Sequence, residues 1–303
     1  MIEFRDIELA DKPIIDKYLI NNPYRASESC FSNLYGWAHK YKTQFAEWRD
    51  FLLIKFTSDR GGCSYLTPFG KGNLASAIEE LVDECGCPIK FEMSGVTQAM
   101  REEIEAAMPR RFEYIRQRAL YDYIYTSEKL INLSGKRLQS KRNHINRFTA
   151  QHSDYKYISI TNNPEETGRC KIMLQKWYDV NRASSDESLD LDFKSTSLYL
   201  DNFEAMELRG GAIEVDGEII AFSLGAQLNE DTFIVHVEKA FADIQGAYPI
   251  INQQFVLNEA SEFTYINREE DMGYPSLRKA KMSYRPDILL EKFIVKEKDK
   301  ERK

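Results

Sequence analysis

The stretch from Asn267 to Pro286 places opposite charges on the two sides of a break in the chain. Asp271 precedes Gly273, and Arg278 and Lys281 follow at a spacing that makes them neighbours on one face of a short helix. Opposite charges held apart in this way suit a site for a molecule that carries both an amine and an acid or phosphate. The alternative is internal neutralisation, in which Asp271 pairs with Arg278 and ties the loop to the helix.

A second group of polar side chains surrounds the end of one expected strand and the start of the next helix. Glu238 and Lys239 end the strand "TFIVHVEKA", and only one of them points inward, because consecutive strand residues face opposite ways. An inward carboxylate in a partly dry cleft suits a general base, whereas an exposed acid–base pair is the alternative. Tyr248 and Asn252 share one face of the following helix, either as cleft residues or as packing residues with satisfied polar tips.

A basic segment, residues 129–153, holds six Lys or Arg residues and no acid. On the expected helix, Arg137, Lys141 and His144 fall on one face, and Arg142 adds a further charge. Because the whole chain has a net charge of −7, this is a local cationic surface that suits an RNA backbone or an anionic headgroup. An ordinary solvated helix face is the alternative.

The elements that must position these residues occur twice in the same order: strand, helix, antiparallel strands, helix, strand, helix, strand. Asn73 and Thr97 predict helix starts in the first set, and Asp216–Gly217 predicts a hairpin turn in the second. We therefore expect an α+β protein of two tandem domains, each a mixed sheet flanked by helices. The predicted domains are residues 1–127 and 128–303, with the basic linker helix 134–151 at the start of the second.

Three further segments carry specific expectations. "FEYIRQRALYDYIYT" is predicted as one long strand that ends the first domain, and "DILLEKFIV" as the strand that closes the second sheet. The stretch "SDESLDLDFKS", which begins near Ser185, is predicted to be an acidic mobile loop over the second domain's cleft, in the manner of a lid.

Composition excludes several classes of protein. The chain of 303 residues has 43% hydrophobic residues and a pI near 5.4, which argues against both disorder and a generic nucleic-acid coat. Charges interrupt the N-terminus where an export signal would place its apolar core, and no run of apolar residues is long enough to span a membrane. The five cysteines lack zinc-type pairing and the four histidines are scattered, so we expect mostly buried free thiols, no metal and a cytoplasmic location.

The order of elements resembles the GNAT acyltransferase fold used twice. Three motifs together resemble the C-terminal domain family of phosphatidylglycerol lysyltransferases, which are related to the Fem-type aminoacyl-tRNA-dependent transferases. These motifs are "GKRLQSKRNHINRF", "VEKAFADIQGAYPIINQQF" and "INREEDMGYPSLRKAKMSYRP". The resemblance implies transfer of an aminoacyl group from aminoacyl-tRNA to an acceptor, which is a small molecule or a lipid headgroup.

The resemblance also implies where the reaction occurs. In a GNAT-like domain the sheet splays after its fourth strand, and the next helix points its N-terminus into the gap. We therefore expect the reacting centre in the second domain. The expected catalytic residues are Glu238, Asp271 and Arg278, and the expected substrate-binding residues are Lys141, Arg142, Lys239, Tyr248, Asn252 and Lys281.

Two other functions remain open from the sequence. Coenzyme A binders of the fold carry an Arg or Gln with two spaced glycines before that helix, whereas "ADIQGAYP" offers only Gln245 and Gly246. We therefore expect no cofactor, with an acyl-CoA-dependent N-acetyltransferase as the alternative enzyme. A non-catalytic protein that binds a ligand is the alternative outside enzymology.

Overall fold

A computed structural model describes residues 2–58, 62–85, 91–182 and 187–298. The chain divides into two compact units, each made of segments that are distant in sequence. The first unit comprises Met1–Asp122, Glu270–Pro275 and Leu289–Lys303, and the second comprises Tyr123–Glu269 and Ser276–Ile288. The domain boundary expected between residues 127 and 128 stays a prediction.

The strands of the described residues form two mixed sheets. In chain order they are β1 (Arg5–Asp6), β2 (Gln44–Trp48), β3 (Phe51–Thr57), β4 (Cys63–Tyr65), β5 (Phe69–Gly70), β6 (Glu92–Thr97), β7 (Phe112–Arg116), β8 (Asp122–Thr126), β9 (Lys156–Ser159), β10 (Arg209–Val215), β11 (Glu218–Gln227), β12 (Thr232–Ala240), β13 (Tyr265–Asn267), β14 (Ile288–Leu290) and β15 (Lys292–Glu297). The first sheet has the order β1-β2-β3-β4-β6-β15-β7, with β5 paired to β3, and the second has the order β14-β8-β13-β12-β11-β10-β9.

The helices of the described residues flank these sheets. They are α1 (Lys12–Leu19), α2 (Phe31–Gly36), α3 (Ala38–Tyr41), α4 (Leu74–Glu84), α5 (Gln98–Ala107), α6 (Ser127–Asn132), α7 (Gln139–Gln151), α8 (Thr167–Asn181), α9 (Glu187–Asp201), α10 (Ala247–Glu259) and α11 (Pro275–Met282). Each sheet contains a parallel pair, β4 with β6 and β12 with β13, among antiparallel neighbours. The predicted fold class, mixed sheets flanked by helices, is confirmed.

The predicted helix starts and hairpin turn are confirmed. The side chain of Asn73 accepts a hydrogen bond from the backbone N–H of Ser76 at the start of α4, and Thr97 does the same for Met100 at the start of α5. Asp216 and Gly217 both have positive φ, 51° and 81°, and form the turn between β10 and β11.

Three of the segment expectations are wrong. Residues Arg118–Leu120 form a 3₁₀ turn that breaks the expected long strand into β7, in the first sheet, and β8, in the second. "DILLEKFIV" likewise divides into β14 and β15, and β15 pairs with β6 and β7 of the first sheet. The acidic stretch forms α9 from Glu187 to Asp201, while its residues before Glu187 lie outside the described residues.

The cysteines also differ in part from expectation. Cys30, Cys85 and Cys170 are not disulfide-bonded, and Cys30 and Cys170 are buried. Cys63, in contrast, is disulfide-bonded. The expectation of free thiols is therefore wrong at Cys63.

Helix α10 is the element that positions the polar centre of the second unit. Many of its own side chains, such as those of Ile250, Ile251 and Phe255, are buried, and it packs on β10, β11 and β12. Gly246 precedes it with φ 92°, and a Cβ there would lie 2.5 Å from the backbone oxygen of His144 and 2.8 Å from Cβ of Phe148. Only glycine therefore allows α7 to approach the start of α10 this closely.

Candidate active site

The candidate site lies where strands β12 and β13 diverge. Their parallel pairing runs from Thr232 opposite Tyr265 to Ile234 opposite Asn267, whereas β12 continues to Ala240. A β-bulge at His236 shifts the pairing of β12 with β11 in the same region, since Val235 pairs with Gly225 and Val237 with Leu224. Beyond this point β12 and the residues after β13 are linked by side chains instead of backbone hydrogen bonds.

One carboxylate lies at the centre of this link. Arg268, just beyond β13, donates from Nη2 to both oxygens of Glu238, at 2.9 and 3.0 Å. Asn252 on α10 donates from Nδ2 to Oε2 of the same carboxylate at 2.9 Å. The side chains of Arg268 and Glu238 are only 10% and 14% exposed, and Asn252 is 2% exposed, so this is a buried polar cluster.

The backbone of Arg268 is also fixed from both sides. Its N–H donates to the carbonyl of Tyr123 at 2.9 Å, and its carbonyl accepts from Nζ of Lys281 at 2.6 Å. Tyr125 in turn donates its hydroxyl to the carbonyl of Lys281 at 2.7 Å. Lys281 thus holds the arginine in place from the α11 side.

Aromatic rings and a lysine complete the surroundings of the guanidinium. The Cζ atom of Arg268 lies 4.9 Å from the ring centroid of Tyr284 and 5.8 Å from that of Tyr125. Burial opposes the charge of Arg268, but the Glu238 carboxylate and the two tyrosines outweigh it and raise its pKa. Nζ of Lys141 on α7 lies 4.1 Å from the Tyr284 ring centroid, and burial together with the charge of Arg268 lowers the pKa of Lys141.

Two buried atoms of this cluster have no hydrogen-bond partner within the described residues. They are Nη1 of Arg268, a donor, and Oδ1 of Asn252, an acceptor. Both belong to side chains that bind the same carboxylate of Glu238. Because unsatisfied buried polar atoms are costly, the pair indicates a position for a bound group that offers one acceptor and one donor.

A second acid–base pair lies beside the first. Nδ1 of His236 lies 2.8 Å from Oε1 of Glu269, and the imidazole stacks on Tyr199 with ring centroids 5.2 Å apart. Glu269 has φ 56°, an unusual conformation for a residue with a side chain. His236 and Glu238 on β12 thus face Glu269 and Arg268 after β13, so two side-chain pairs bridge the divergence.

The structure brings together four of the expected site residues, Glu238, Asn252, Lys141 and Lys281. Sequence reasoning missed Arg268, Tyr125 and Tyr284. Arg268 directly follows Asn267, the last residue of β13, in "INREED". A cation immediately after this strand was the signal that could have identified it.

Lys239 and Tyr248 lie near a different set of side chains. The ammonium of Lys239 pairs with Asp192 on α9 and lies 4.1 Å from the ring centroid of Trp177 on α8. Burial raises the pKa of Tyr248, while hydrogen bonds to Trp177 and the backbone of Ala240 oppose the shift. Glu238 and Lys239 therefore do point away from each other, with Glu238 in the buried cluster.

Arg142 has structural contacts. Its Nη1 donates to the carbonyl of Leu133 and, at 2.9 Å, to that of Gly135. These bonds tie α7 to the loop that precedes it. Substrate binding by Arg142 stays a prediction.

Asp271 and Arg278 belong to different units. Asp271 is fully buried in the first unit, where it accepts from Nη1 of Arg118 at 3.1 Å and from the N–H of Gly273 at 2.9 Å. Its charge is thus matched by a cation that sequence reasoning did not select. Arg278 lies on α11 in the second unit and is partly exposed. The catalytic roles expected for both stay predictions.

Comparison with known proteins identifies the family. The model of the phosphatidylglycerol lysyltransferase C-terminal domain matches residues 22–296. The chain belongs to this family. The motifs that resembled the family in sequence therefore identified it correctly, and two of them supply the buried polar cluster, with Glu238 and Asn252 in one and Arg268 in the other.

Solved structures and a curated protein are similar to this chain at different levels. A conserved protein of unknown function from Bacteroides thetaiotaomicron is 41% identical, with a TM-score of 0.91 over 98% of this chain and 100% of that one. The C-terminal DUF2156 domain of a proposed lysylphosphatidylglycerol synthetase from Agrobacterium fabrum has a TM-score of 0.65 at 10% identity, over 96% of this chain and 91% of that one, and so shares the fold. An uncharacterized protein of Mycoplasmoides gallisepticum is 27% identical over 177 residues, which are 58% of this chain and 56% of that protein.

Two properties of the described residues bear on partners. None of their helices is both long and apolar enough to cross a membrane. Nor do their His, Cys, Asp and Glu side chains form a group of three or more that would hold a metal ion.

Proposed function

We propose that this member of the lysyltransferase C-terminal family transfers an aminoacyl group from aminoacyl-tRNA to an acceptor, with the reacting centre at the Glu238–Arg268–Asn252 cluster. The observation that carries the proposal is the pair of unpartnered buried atoms, Nη1 of Arg268 and Oδ1 of Asn252. An aminoacyl ester offers a carbonyl oxygen to the first and an ammonium to the second. An acetyl group offers only the carbonyl.

The residues of the cluster then divide into roles. Arg268 Nη1 donates to the ester carbonyl oxygen and stabilises the oxyanion that forms when the acceptor attacks. Glu238, which accepts three hydrogen bonds, positions Arg268 and Asn252, and this suits it better to orientation than to the general-base role expected from sequence. The carbon–oxygen bond to the tRNA ribose breaks, and the ribose hydroxyl takes up a proton.

Lys141 is the better proton acceptor for the attacking amine or hydroxyl. Burial and the neighbouring Arg268 lower its pKa, so a larger fraction is neutral near physiological pH than for an exposed lysine. Its position over Tyr284, which also contacts Arg268, places it at the edge of the cluster.

The start of α10 argues against an acyl-CoA donor. Coenzyme A enzymes of the fold bind the pyrophosphate at the backbone N–H groups of this helix start. The close approach of the α7 backbone to Gly246 takes up space on one side of that position. The motif there also lacks a second spaced glycine.

A basic face on and just before α7 supports an RNA donor. This face consists of four exposed basic residues: Lys136, Arg137, His144 and Arg147. Since the protein is otherwise acidic, these residues form a local surface for a phosphate backbone. The acceptor, which is a small molecule or a lipid headgroup, and a cytoplasmic location are parts of the same proposal.

The test is label transfer from a pool of tRNA charged with radiolabelled amino acids to a mixture of amines and extracted lipids. We expect transfer by the native protein and a loss of at least about 100-fold in Arg268→Met, as for other oxyanion donors. Asn252→Ala should also lower transfer, because it removes the acceptor for the ammonium of the aminoacyl group, whereas Asn258→Ala, at an exposed position of the same helix, should behave as native. No transfer by the folded protein, together with micromolar binding of acetyl-CoA in calorimetry, would instead support the acyl-CoA alternative.

A further inference from the structure

The bulge in β12 directs two nearby side chains to different helices. Strand β12 uses one residue more than β11 here, and this extra residue is His236. Glu238, beyond the bulge, accepts a hydrogen bond from Asn252 of α10, whereas the ring of His236 stacks on Tyr199 of α9. Lys239, which points away from Glu238, also pairs with α9. In a regular strand, residues two apart share a face, so the bulge is what lets His236 and Glu238 lie on opposite sides.

The two residues after β13 hold the end of β12 from these two sides. Nη2 of Arg268 bonds the Glu238 carboxylate, and Oε1 of Glu269 lies 2.8 Å from Nδ1 of His236. Because a carboxylate only accepts hydrogen bonds, Nδ1 of His236 is the donor. The imidazole is 1% exposed and the Glu269 side chain 17%, so this bond is shielded from water. Arg268 and Glu269 are adjacent in the chain, and a displacement of one therefore moves the other.

The backbone of Glu269 adopts a left-handed conformation. Its φ is 56°, its N–H donates to Oδ1 of Asn267 at 2.6 Å, and its carbonyl accepts from the N–H of Tyr123 at 3.2 Å. A glycine would adopt this turn without strain, so the turn itself does not require a glutamate. What the glutamate adds is the carboxylate that binds His236.

We propose that His236 and Glu269 are positioning residues for the reaction at the buried polar cluster, a role that rests on the proposed transfer function. Their hydrogen bond fixes the segment after β13 on the α9 side, so that Arg268 keeps Nη1 directed at the carbonyl oxygen of the aminoacyl ester. Neither residue contacts the aminoacyl group. The stack of His236 on Tyr199 extends this support to α9.

Two substitutions at position 269 separate the side chain from the turn. Glu269→Gln keeps an oxygen that accepts from His236, whereas Glu269→Gly keeps the left-handed turn without strain but removes the side chain. We expect transfer by Glu269→Gln within about threefold of native and a loss of at least about tenfold in Glu269→Gly, because small displacements at a reacting centre are costly. The loss should fall on kcat and leave KM for aminoacyl-tRNA unchanged, since the basic face on α7 binds the RNA. Glu230→Gln, at an exposed glutamate of the same unit, is the matched control and should behave as native.

The same hydrogen bond can be removed from its other end. His236→Phe keeps an aromatic ring against Tyr199 but has no donor for Glu269. It should lose as much transfer as Glu269→Gly, and combining the two substitutions should cause no further loss, because both remove one interaction. The proposal would be overturned if the losses multiply in the double variant, if Glu269→Gly is as active as native, or if Glu269→Gln loses as much as Glu269→Gly.

A measurement on Arg268 itself separates this proposal from the proposed function. The guanidinium N–H signals of Arg268 in NMR spectra are identified by their disappearance in Arg268→Met. We expect them to shift or broaden in Glu269→Gly and His236→Phe but not in Glu269→Gln or Glu230→Gln. If this pattern is found in a protein that transfers no aminoacyl group, the positioning of Arg268 stands and the transferase proposal fails. If the signals are the same in native protein and Glu269→Gly, the positioning role is wrong even where transfer is observed.

Discussion

At the scale of single residues, the second unit is organised around one buried arginine. Arg268 bonds both oxygens of Glu238, contacts two tyrosine rings and has its backbone fixed by Tyr123 and Lys281. A guanidinium held this firmly keeps its free Nη1 directed at one place, which is what an oxyanion donor requires.

Removing that arginine should be costly for stability as well as activity. In Arg268→Met, Glu238 stays buried with Asn252 as its remaining donor, and we expect a loss of about 3 kcal/mol in the free energy of unfolding. Urea denaturation followed by fluorescence measures it. Arg137→Met, at an exposed arginine, should change stability by less than about 0.5 kcal/mol. Equal stabilities for the two variants would contradict the buried pair.

Lys141 should give the protein a distinctive pH dependence. Its pKa is lowered in the folded state by burial and by Arg268, so the unfolded chain binds more protons in the window between the folded pKa and the ordinary value of 10.5. Stability linked to Lys141 is therefore present above that ordinary value and is lost as pH falls through the folded pKa. Native protein should gain stability relative to Lys141→Met as pH rises toward 10.5.

Urea titrations of both proteins from pH 7 to pH 10 measure this difference, with Lys136→Met as the control for removal of an exposed charge. The prediction is contradicted if native protein loses stability relative to Lys141→Met as pH rises, or if the difference in their free energies of unfolding does not change with pH. Either result would show that Lys141 is not buried beside Arg268.

At the scale of elements, the close approach of α7 to the start of α10 depends on Gly246. Gly246→Ala combines a left-handed conformation with a contact of 2.5 Å to the backbone of His144. We expect a loss of about 2–4 kcal/mol in the free energy of unfolding, the sum of backbone strain and overpacking.

Gly217→Ala separates these two causes. Gly217 has a similar φ of 81°, but nothing lies within 4 Å of its would-be Cβ. This variant should therefore lose only about 1–2 kcal/mol. If both alanine variants lose the same amount, measured by thermal denaturation, α7 does not pack as closely on α10 as the structure has it.

Much of the element scale follows from local sequence. Helix starts at Asn73 and Thr97 and the turn at Asp216–Gly217 depend on hydrogen bonds and backbone preferences within a few residues, so a single sequence contains the information. The break at Arg118–Leu120 carries no Gly or Pro, and so "FEYIRQRALYDYIYT" looked continuous. The acidic stretch "SDESLDLDFKS" looked like a loop because it is rich in acidic residues, whereas from Glu187 onward it belongs to α9.

At the scale of the whole molecule, the first unit is incomplete without the end of the chain. β15 pairs with both β6 and β7, and Phe293 and Val295 are almost fully buried. Lys292, fully buried, bonds Asp122 at 2.8 Å, Glu28 at 2.6 Å and the hydroxyl of Ser27 at 3.0 Å. Folding of the first sheet therefore requires contacts between residues some 170 positions apart in the chain.

This arrangement predicts the behaviour of a fragment. Residues 1–122 alone should lack fixed tertiary structure, because β6 and β7 have no strand between them. Residues 1–122 joined to residues 288–298 by a Gly/Ser linker of about six residues should fold. Near-UV circular dichroism and amide dispersion in NMR spectra distinguish the two.

The matched control is the same fusion with Val295→Asp, which places a charge in the core and should not fold. Cooperative folding of residues 1–122 without the last strand would contradict the sheet order.

The sequence by itself indicated the fold class, most element types, the family, and the presence of Glu238, Asn252, Lys141 and Lys281 near one centre. Those features depend on periodicity, on local capping and on motif residues close together along the chain. The tertiary structure decided which sheet each of β8 and β15 joins, that Asp271 is neutralised by Arg118, and that Arg268 completes the centre. The residues of a strand determine which side chains lie on each face, but not which strand pairs with it. The partner of a buried charge depends on how distant segments of the chain pack together.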